Sequence, residues 1–429
     1  MVYKRPKGTF DILPEAIKDD DKGRESHRFA HIEEALRATS QAYGFSEIRT
    51  PIFESTDLFI RTVGEDSDIV SKEMYTFNDK GGRSMTLRPE GTAPALRAFI
   101  EHSLQSSAIG SKLFYIGPYF RYDRPQAGRF RQFHQYGVEA IGDTSPEQDV
   151  EVIDMILEIY RRLGLKELTL LINSLGTPAC RAKYVSALKD YLQPHLADLS
   201  EDSQKRFETN PLRILDSKSK TDIEIVKGAP NLMKCLSEAS KEHFNAVTTW
   251  LTRLKIPYQL TPTLVRGLDY YNQTVFEVTS NVLGAQNTIG AGGRYDGLIE
   301  QLGGPALPGI GFATGIERVL ATMEGQNAPF PPRNHPKVAL IPMGEAAEKA
   351  LFPLTLSLRK EGIASTFIPT TKKLGKALSK AEGLKCECAI IVGEDELKKE
   401  CANVKDLTQR QSEEIPLKTL LTYMRETYA

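Results

Sequence analysis

Residues 266–278 read RGLDYYNQTVFEV, with an arginine, an aspartate and two tyrosines ahead of the β-forming Val275, Phe276 and Val278. A buried charge without a partner costs several kcal/mol. A strand that starts this way either begins on the surface or lines a pocket whose ligand completes the pairing. Four more stretches carry groups of the same kind. TLRPEGTAPALRAF (86–99) sets Arg88, Glu90 and Thr92 ahead of a helical run, where Thr92 could equally be a plain helix cap. FRYDRPQAGRFRQFHQ (120–135) interleaves arginines with Phe120, Phe130 and Phe133. That pattern suits phosphate and a stacked base, although a solvated charged hairpin has the same composition. AGGRYDGL (291–298) offers glycines for close approach of a ligand, or a simple turn. GIERVLATM puts Arg318 in the first turn of a helix, where the dipole disfavours a cation unless an anion lies nearby.

Familiar alternatives are missing. No glycine loop ends in Gly-Lys-Ser/Thr, GIGFATG has the wrong last gap for a dinucleotide fingerprint, and there is no GxSxG elbow. The cysteines at 180, 235, 386, 388 and 401 have neither zinc spacing nor a disulfide framework. What remains is an inventory of arginines, carboxylates and tyrosines at glycine-rich strand ends, able to hold a triphosphate and a small zwitterion.

These residues need a scaffold. Phe29, Ile32 and Leu36 predict a helix over 26–43 that Gly44 can stop, and SEIRTPIFE predicts a short strand interrupted by Pro51. Strands are expected at 112–123 and 131–142, joined by the turn-rich RPQAG, and an amphipathic helix at 147–163. ELTLLIN reads as a strand, and 176–255 as a charged, inserted helical subdomain without a chemical motif. Strands follow at 263–279 and 287–292, then a strand running into the GIERVLATM helix. The proline-rich stretch 327–337 predicts a stiff linker. Beyond it, strands and helices alternate as in a small α/β domain with a mostly parallel sheet. The expected domains are 1–326, the linker 327–337, and 338–429.

Apolar content of 40% and charged content of 26% suit a globular chain, and the net charge of −1 makes any nucleic-acid contact depend on local basic patches. No apolar run is long enough to span a bilayer, and MVYKRPKGTFDILP has no apolar signal region. The expectation is a reduced, cytoplasmic protein with no membrane partner.

In their order, TLRPEGT, FRYDRPQAGRFRQFHQ, RGLDYYNQTVFEV, GGRYDGL and GIGFATGIERV resemble the histidyl-tRNA synthetase family of class II aminoacyl-tRNA synthetases. The resemblance runs from PKGTFDILP into the C-terminal domain. It implies an α+β fold: a class II synthetase-type antiparallel sheet flanked by helices, with an inserted helical subdomain and a C-terminal α/β anticodon-binding domain. It implies a homodimer meeting through the 26–43 helix and the strand ending at Pro51. The implied reaction joins L-histidine and ATP, with Mg²⁺ accompanying the ATP and no fixed metal site in the protein. Histidyl-adenylate and pyrophosphate form, and the histidyl group then passes to the 3′ end of tRNA(His).

By the same resemblance, Arg121 grips the α-phosphate and Arg266 reaches it, and the substrate carboxylate, from the opposite side. Arg318 lies near the γ-phosphate and adenine, and Phe133 stacks on the base. Glu90, Thr92 and Gln135 hold the α-amino group. Glu139 and Tyr271 bond the imidazole, with Tyr295 lining the same pocket. Arg124 and Gln126 lie near the tRNA acceptor end. Asp123 stands where the family commonly has glutamate, so the usual contact at the adenine edge falls to a shorter side chain. Asp269 and Tyr270 are expected only as supports. Two other readings share parts of the pattern: a histidine-binding regulatory relative and a non-catalytic RNA-binding module. The regulatory relative typically lacks the anticodon domain and the nucleotide arginines that this sequence carries.

Overall fold

Apolar spacing along helix α1 (Ser26–Ala42) places Phe29, Ile32 and Leu36 in the main core, and Gly44, at φ +76°, turns the chain out of the helix. The computed structural model describes residues 3–17, 23–64, 67–107, 109–123, 129–284, 287–369 and 373–428. The chain divides into two compact units, residues 1–331 and 332–429.

The first unit carries strands β1 (Ser46–Glu47), β2 (Phe53–Ser55), β3 (Tyr75–Asn78), β4 (Ser84–Leu87), β5 (Lys112–Phe120) and β6 (Gln132–Ile141). They continue with β7 (Leu168–Ser174), β8 (Gln259–Leu260), β9 (Asn272–Ser280), β10 (Thr288–Arg294) and β11 (Gly309–Gly315). Eight of them form one sheet in the order β1-β5-β6-β11-β10-β9-β7-β8, antiparallel except at its two short edge pairs. The other three form a small sheet, β2-β4-β3. Helices α2 (Thr56–Val63), α3 (Thr92–Glu101) and α4 (Pro146–Arg162) belong to the same unit. So do α5 (Pro178–Leu192), α6 (Glu201–Thr209), α7 (Lys220–Val226), α8 (Glu238–Arg253), α9 (Leu298–Gln301) and α10 (Ile316–Gly325).

One face of the large sheet is apolar. Tyr136 and Val138 of β6, Phe276 and Val278 of β9 and Phe312 of β11 pack there with residues of α1, α4, α8 and α10. The opposite face carries the polar residues of the site, a division that follows from the two-residue period of a strand.

The structure corrects the sequence reading in four places. The segment 46–54 is not one strand: β1 and β2 join different sheets, with Pro51, which has no N–H to donate, between them. Residues 263–271 are not strand either; β9 begins at Asn272, and the polar 266–271 segment is a loop at the edge of the site. Within 176–255, α5 to α7 share a core with Leu264, Val265 and Tyr271, whereas Phe244, Val247 and Leu251 of α8 pack into the main core. The fourth correction is in the second unit. Its strands β12 (Val338–Pro342), β13 (Ser365–Phe367), β14 (Cys388–Val392), β15 (Cys401–Asp406) and β16 (Ser412–Pro416) have the order β13-β12-β14-β15-β16. The pairs β12–β13 and β12–β14 are parallel, while β14–β15 and β15–β16 are antiparallel. Only residues 393–400 connect β14 to β15, too few for a parallel crossover of about a dozen residues. Helices α11 (Glu345–Lys360), α12 (Leu374–Gly383), α13 (Glu394–Lys398) and α14 (Leu420–Tyr428) complete this unit.

Among the described residues no helix is long and apolar enough to cross a membrane.

Candidate active site

Strand β6 supplies the floor of the site. Phe133, Gln135, Gly137 and Glu139 are alternate residues and share one face. Gly137 is paired with Tyr115 of β5, and a Cβ at 137 would lie 2.4 Å from the Tyr115 hydroxyl oxygen. The missing side chain is what lets that ring cross the floor. Gly311 of β11 is paired with Glu139, and a Cβ there would lie 2.4 Å from Glu139 Oε2. Both glycines are therefore close-approach positions.

Glu139, 1% exposed, accepts hydrogen bonds from the hydroxyls of Tyr115 (2.9 Å, to Oε1) and Tyr295 (2.6 Å, to Oε2). Burial raises its pKa to about 7, against the lowering effect of the Tyr295, Thr92 and Tyr115 hydrogen bonds. Tyr115 was not singled out in the sequence. Its signal was there: Tyr115, Gly117 and Tyr119 alternate on β5, an unusual run of polar-tipped rings and glycine for a central strand.

Glu90 sits just ahead of α3 and accepts the backbone N–H groups of Thr92 (2.7 Å) and Ala93 (2.9 Å), so its carboxylate caps the helix. Burial still pushes its pKa upward. The cap is thus Glu90, not Thr92. Gln135 Oε1 is buried without a hydrogen-bond partner.

Arg121 lies one residue past β5. Its Nε donates to Pro89 O (2.8 Å) and its guanidinium stands 5.5 Å from the Phe133 ring centroid. Burial lowers its pKa, opposed by the nearby Glu73 and Glu90 carboxylates. Asp123 accepts from Arg129 (2.9 Å). Arg318 is the third residue of α10, and its Nε donates to Thr288 O (2.7 Å). Burial and the neighbouring Arg129 lower its pKa.

The 266–271 loop closes the opposite side. Arg266 pairs through Nη1 with Glu277 of β9, its Nε is buried without a partner, and its guanidinium lies 5.7 Å from the Tyr271 ring centroid. Asp269, three residues on, does not pair with Arg266 but with the inserted helices. Asp269 accepts from Asn210 Nδ2 (2.9 Å) and lies 3.5 Å from Arg181, tying the loop to the inserted helices. Tyr270 packs against Tyr271 with the rings tilted by 46° and centroids 4.6 Å apart, and stands edge-on to Tyr295 at 6.0 Å.

Most of these groups line one cavity of about 820 Å³; Asp269 does not. It brings together Glu90, Thr92, Arg121, Asp123, Phe133, Gln135, Glu139, Arg266, Tyr271, Tyr295 and Arg318 from both ends of a chain segment more than two hundred residues long. Arg213, Asp216 and Lys218 of the inserted helical part form another wall. Arg124 and Gln126, with the RPQAG turn, lie outside the described residues. Among the described residues, no cluster of three or more His, Cys, Asp or Glu is placed to hold a metal ion. A cavity with arginines on two sides, a buried carboxylate between tyrosines and an aromatic floor fits an amino acid beside a nucleotide.

Comparison with known families now decides the assignment. Residues 19–319 match the family described as histidyl-tRNA synthetase, and residues 337–427 match the anticodon binding domain. The chain belongs to the histidyl-tRNA synthetase family. It is 55% identical over 407 residues to a histidine–tRNA ligase of Protochlamydia amoebophila, covering 95% of this chain and 96% of that one. It is 48% identical to the histidine–tRNA ligase of Moorella thermoacetica, covering 99% of both. The crystal structure of apo S. aureus histidyl-tRNA synthetase is similar, with a TM-score of 0.82, 38% identity, and coverage of 99% of this chain and 100% of that one. The enzyme class is aminoacyl-tRNA ligase, its activity histidine–tRNA ligation with ATP as substrate, and its C-terminal unit the anticodon-binding domain.

Proposed function

We propose a division of labour within this cavity. Glu139 and Tyr271 hold the imidazole of L-histidine, with Tyr295 lining that end, and Glu90, Thr92 and Gln135 take its α-amino group. Phe133 carries the adenine, Arg318 faces the γ-phosphate, and Asp123, held by Arg129, lies at the adenine edge. Arg121 and Arg266 flank the α-phosphate. Mg²⁺ enters with the phosphates of ATP.

A histidine carboxylate oxygen attacks the α-phosphorus, the bond to the bridging oxygen breaks, and pyrophosphate leaves. The attacking group is already ionised, so this step needs no general base. It needs alignment and neutralisation of charge on the pentacovalent phosphorus. Arginine supplies the latter because it stays charged and presents a planar fork of donors. In the second step a terminal ribose hydroxyl of tRNA(His) attacks the carbonyl carbon, and AMP departs. Contact with that acceptor end is assigned to Arg124 and Gln126.

Domain roles follow. Residues 1–326 carry the chemistry, 176–255 form the inserted part, 327–337 link, and 338–429 read the tRNA. Two copies meet through α1 and the segment ending at Pro51. Next to that segment, Ile52, Phe53 and Phe77 are exposed, and the Phe53 and Phe77 rings meet edge to face at 6.2 Å. An apolar surface of this kind favours an interface. The setting is the cytoplasm.

The observation that carries the reading is Arg266: a half-buried guanidinium with one carboxylate partner and a buried, unpartnered Nε, at the edge of a cavity that Arg121 also lines. ATP–pyrophosphate exchange across several amino acids tests it. Exchange with histidine alone supports the assignment of the imidazole end, whereas no exchange, or better exchange with another amino acid, overturns it.

A further inference from the structure

Strand β11 runs beside β6 only as far as the pair Gly315–Gln135, then turns into α10 at Ile316. One residue earlier on β6, His134 has therefore lost its neighbouring strand on that side. The His134 backbone N–H goes instead to a side chain: Glu317 Oε1 at 2.8 Å and Oε2 at 3.0 Å. The same Oε1 lies 2.9 Å from His134 Nδ1, so the ring nitrogen is also engaged. Glu317 is 7% exposed, and the His134 ring packs edge-on against Phe29 of α1 at 5.8 Å.

His134 points to the helix face of the sheet, so its neighbours Phe133 and Gln135 point into the cavity. Glu317 is followed by Arg318, whose Nε is itself fixed on Thr288 O. One carboxylate thus ties the strand that carries a base-stacking ring and an amino-group acceptor to the helix that carries a phosphate-facing arginine. We infer that Glu317 is a positioning residue for the adenylation site: it replaces the missing strand partner of β6 at His134 and fixes the spacing of Phe133 and Gln135 relative to Arg318. A backbone N–H withdrawn from water needs a partner, and Glu317 on α10 supplies the acceptor.

This inference rests on the nucleotide-site reading above, and its test separates the two. Hydrogen–deuterium exchange of residues 132–136 reports the strand directly, whatever the substrate. In Glu317→Ala that segment should exchange at least about tenfold faster than in the parent, with core strand β9 unchanged. Glu317→Gln keeps an acceptor oxygen at the same place and should protect the segment to within about threefold of the parent. His134→Ala keeps the backbone contact and should behave like Glu317→Gln. In pyrophosphate exchange, Glu317→Ala should raise the KM for ATP and for histidine together, by about tenfold or more, and Glu317→Gln should restore most of both. Unchanged protection of 132–136 in Glu317→Ala overturns the inference. Equal defects in the alanine and glutamine variants do so too, because charge and not geometry would then be the cause. If Glu317→Ala unfolds, the glutamine and His134→Ala variants still decide. A parent enzyme with no histidine-dependent exchange would sink the site reading and leave the strand measurement to judge Glu317 by itself.

Discussion

Two arginines, the buried Arg294 and the half-buried Arg266, are treated in opposite ways. Arg294, in the GGRYDGL stretch, is 1% exposed and uses all three guanidinium nitrogens. Its Nε donates to Asp149 Oδ1 (2.6 Å), its Nη1 to Asp143 O (3.0 Å) and its Nη2 to Ser145 O (3.0 Å). The other Asp149 oxygen lies 2.8 Å from His243 Nε2 on α8. Every charge in that cluster is answered within the protein, and it locks α4 and α8 to the end of β10. Arg266 has one carboxylate, Glu277, and a buried Nε with no partner. A fully paired buried charge is scaffold, whereas one with a donor to spare, facing a second arginine across a cavity, is suited to an anion. Of two sequence stretches rich in the same residue types, one thus holds the fold and the other serves the chemistry.

Removing Arg294 should give the largest effect and should fall on stability. Arg294→Met leaves Asp149 buried with only His243, which costs about 3–5 kcal/mol of unfolding free energy. Denaturant unfolding should show that loss, while the KM values of the folded enzyme stay near those of the parent. A stable Arg294→Met enzyme with impaired substrate binding would reverse the roles assigned to the two arginines.

Arg266→Gln should do the opposite. Losing one preorganised donor to a developing charge typically lowers turnover by about 10²–10³, or roughly 3–4 kcal/mol at the transition state. The melting temperature should change little, because Glu277 also accepts from Thr288 (2.8 Å) and is not left without a donor. Transfer from preformed histidyl-adenylate to tRNA should suffer less than adenylate formation. Equal loss in both steps, or unfolding, would make the Arg266–Glu277 pair structural after all.

A smaller effect is expected at Tyr115, which sharpens the comparison inside the pocket. Tyr115→Phe removes one of the hydroxyl donors to Glu139, worth about 0.5–1.5 kcal/mol, and should raise the histidine KM several-fold while leaving the ATP KM nearly unchanged. Parallel changes in both constants would mean that the ring, not the hydroxyl, matters.

The mildest signal is in pH. With the Glu139 pKa raised to about 7 by burial, the carboxyl is protonated below that pH and ionised above it. The ionised form accepts an imidazole N–H better, so histidine affinity should improve as pH rises through about 7. Glu139→Gln should lose that component and keep only the titration of the free histidine ring, near 6.5. A binding curve in which the two enzymes have the same pH dependence would remove Glu139 from the imidazole contact.

Much of the scaffold was legible because its periods are local. The α1 and α4 helices and the β5 and β6 strands lie where apolar spacing and turn residues put them, since burial of one face dictates that spacing. The loop at 266–271 was not distinguishable from strand, because Tyr270 and Tyr271 are good β-formers and only packing against Thr92, Tyr295 and the inserted helices holds them in a loop. The small β2-β4-β3 sheet went unread because it is short and half exposed, which leaves a weak apolar pattern.

By itself the sequence determined the residue types of the site and their order along the chain, and with them the family, since these motifs are local strings. It also determined that both arginines sit in polar, glycine-flanked stretches. Which arginine would be saturated was decided only in three dimensions. The partners of Arg294 come from residues 143–149, and Asp149 in turn reaches His243 on α8; the single partner of Arg266 comes from β9. The same holds for Glu317, whose role exists only because β11 leaves the sheet one residue short of His134. Pairing of buried charge depends on distances between segments far apart in the chain, and no local pattern encodes those distances.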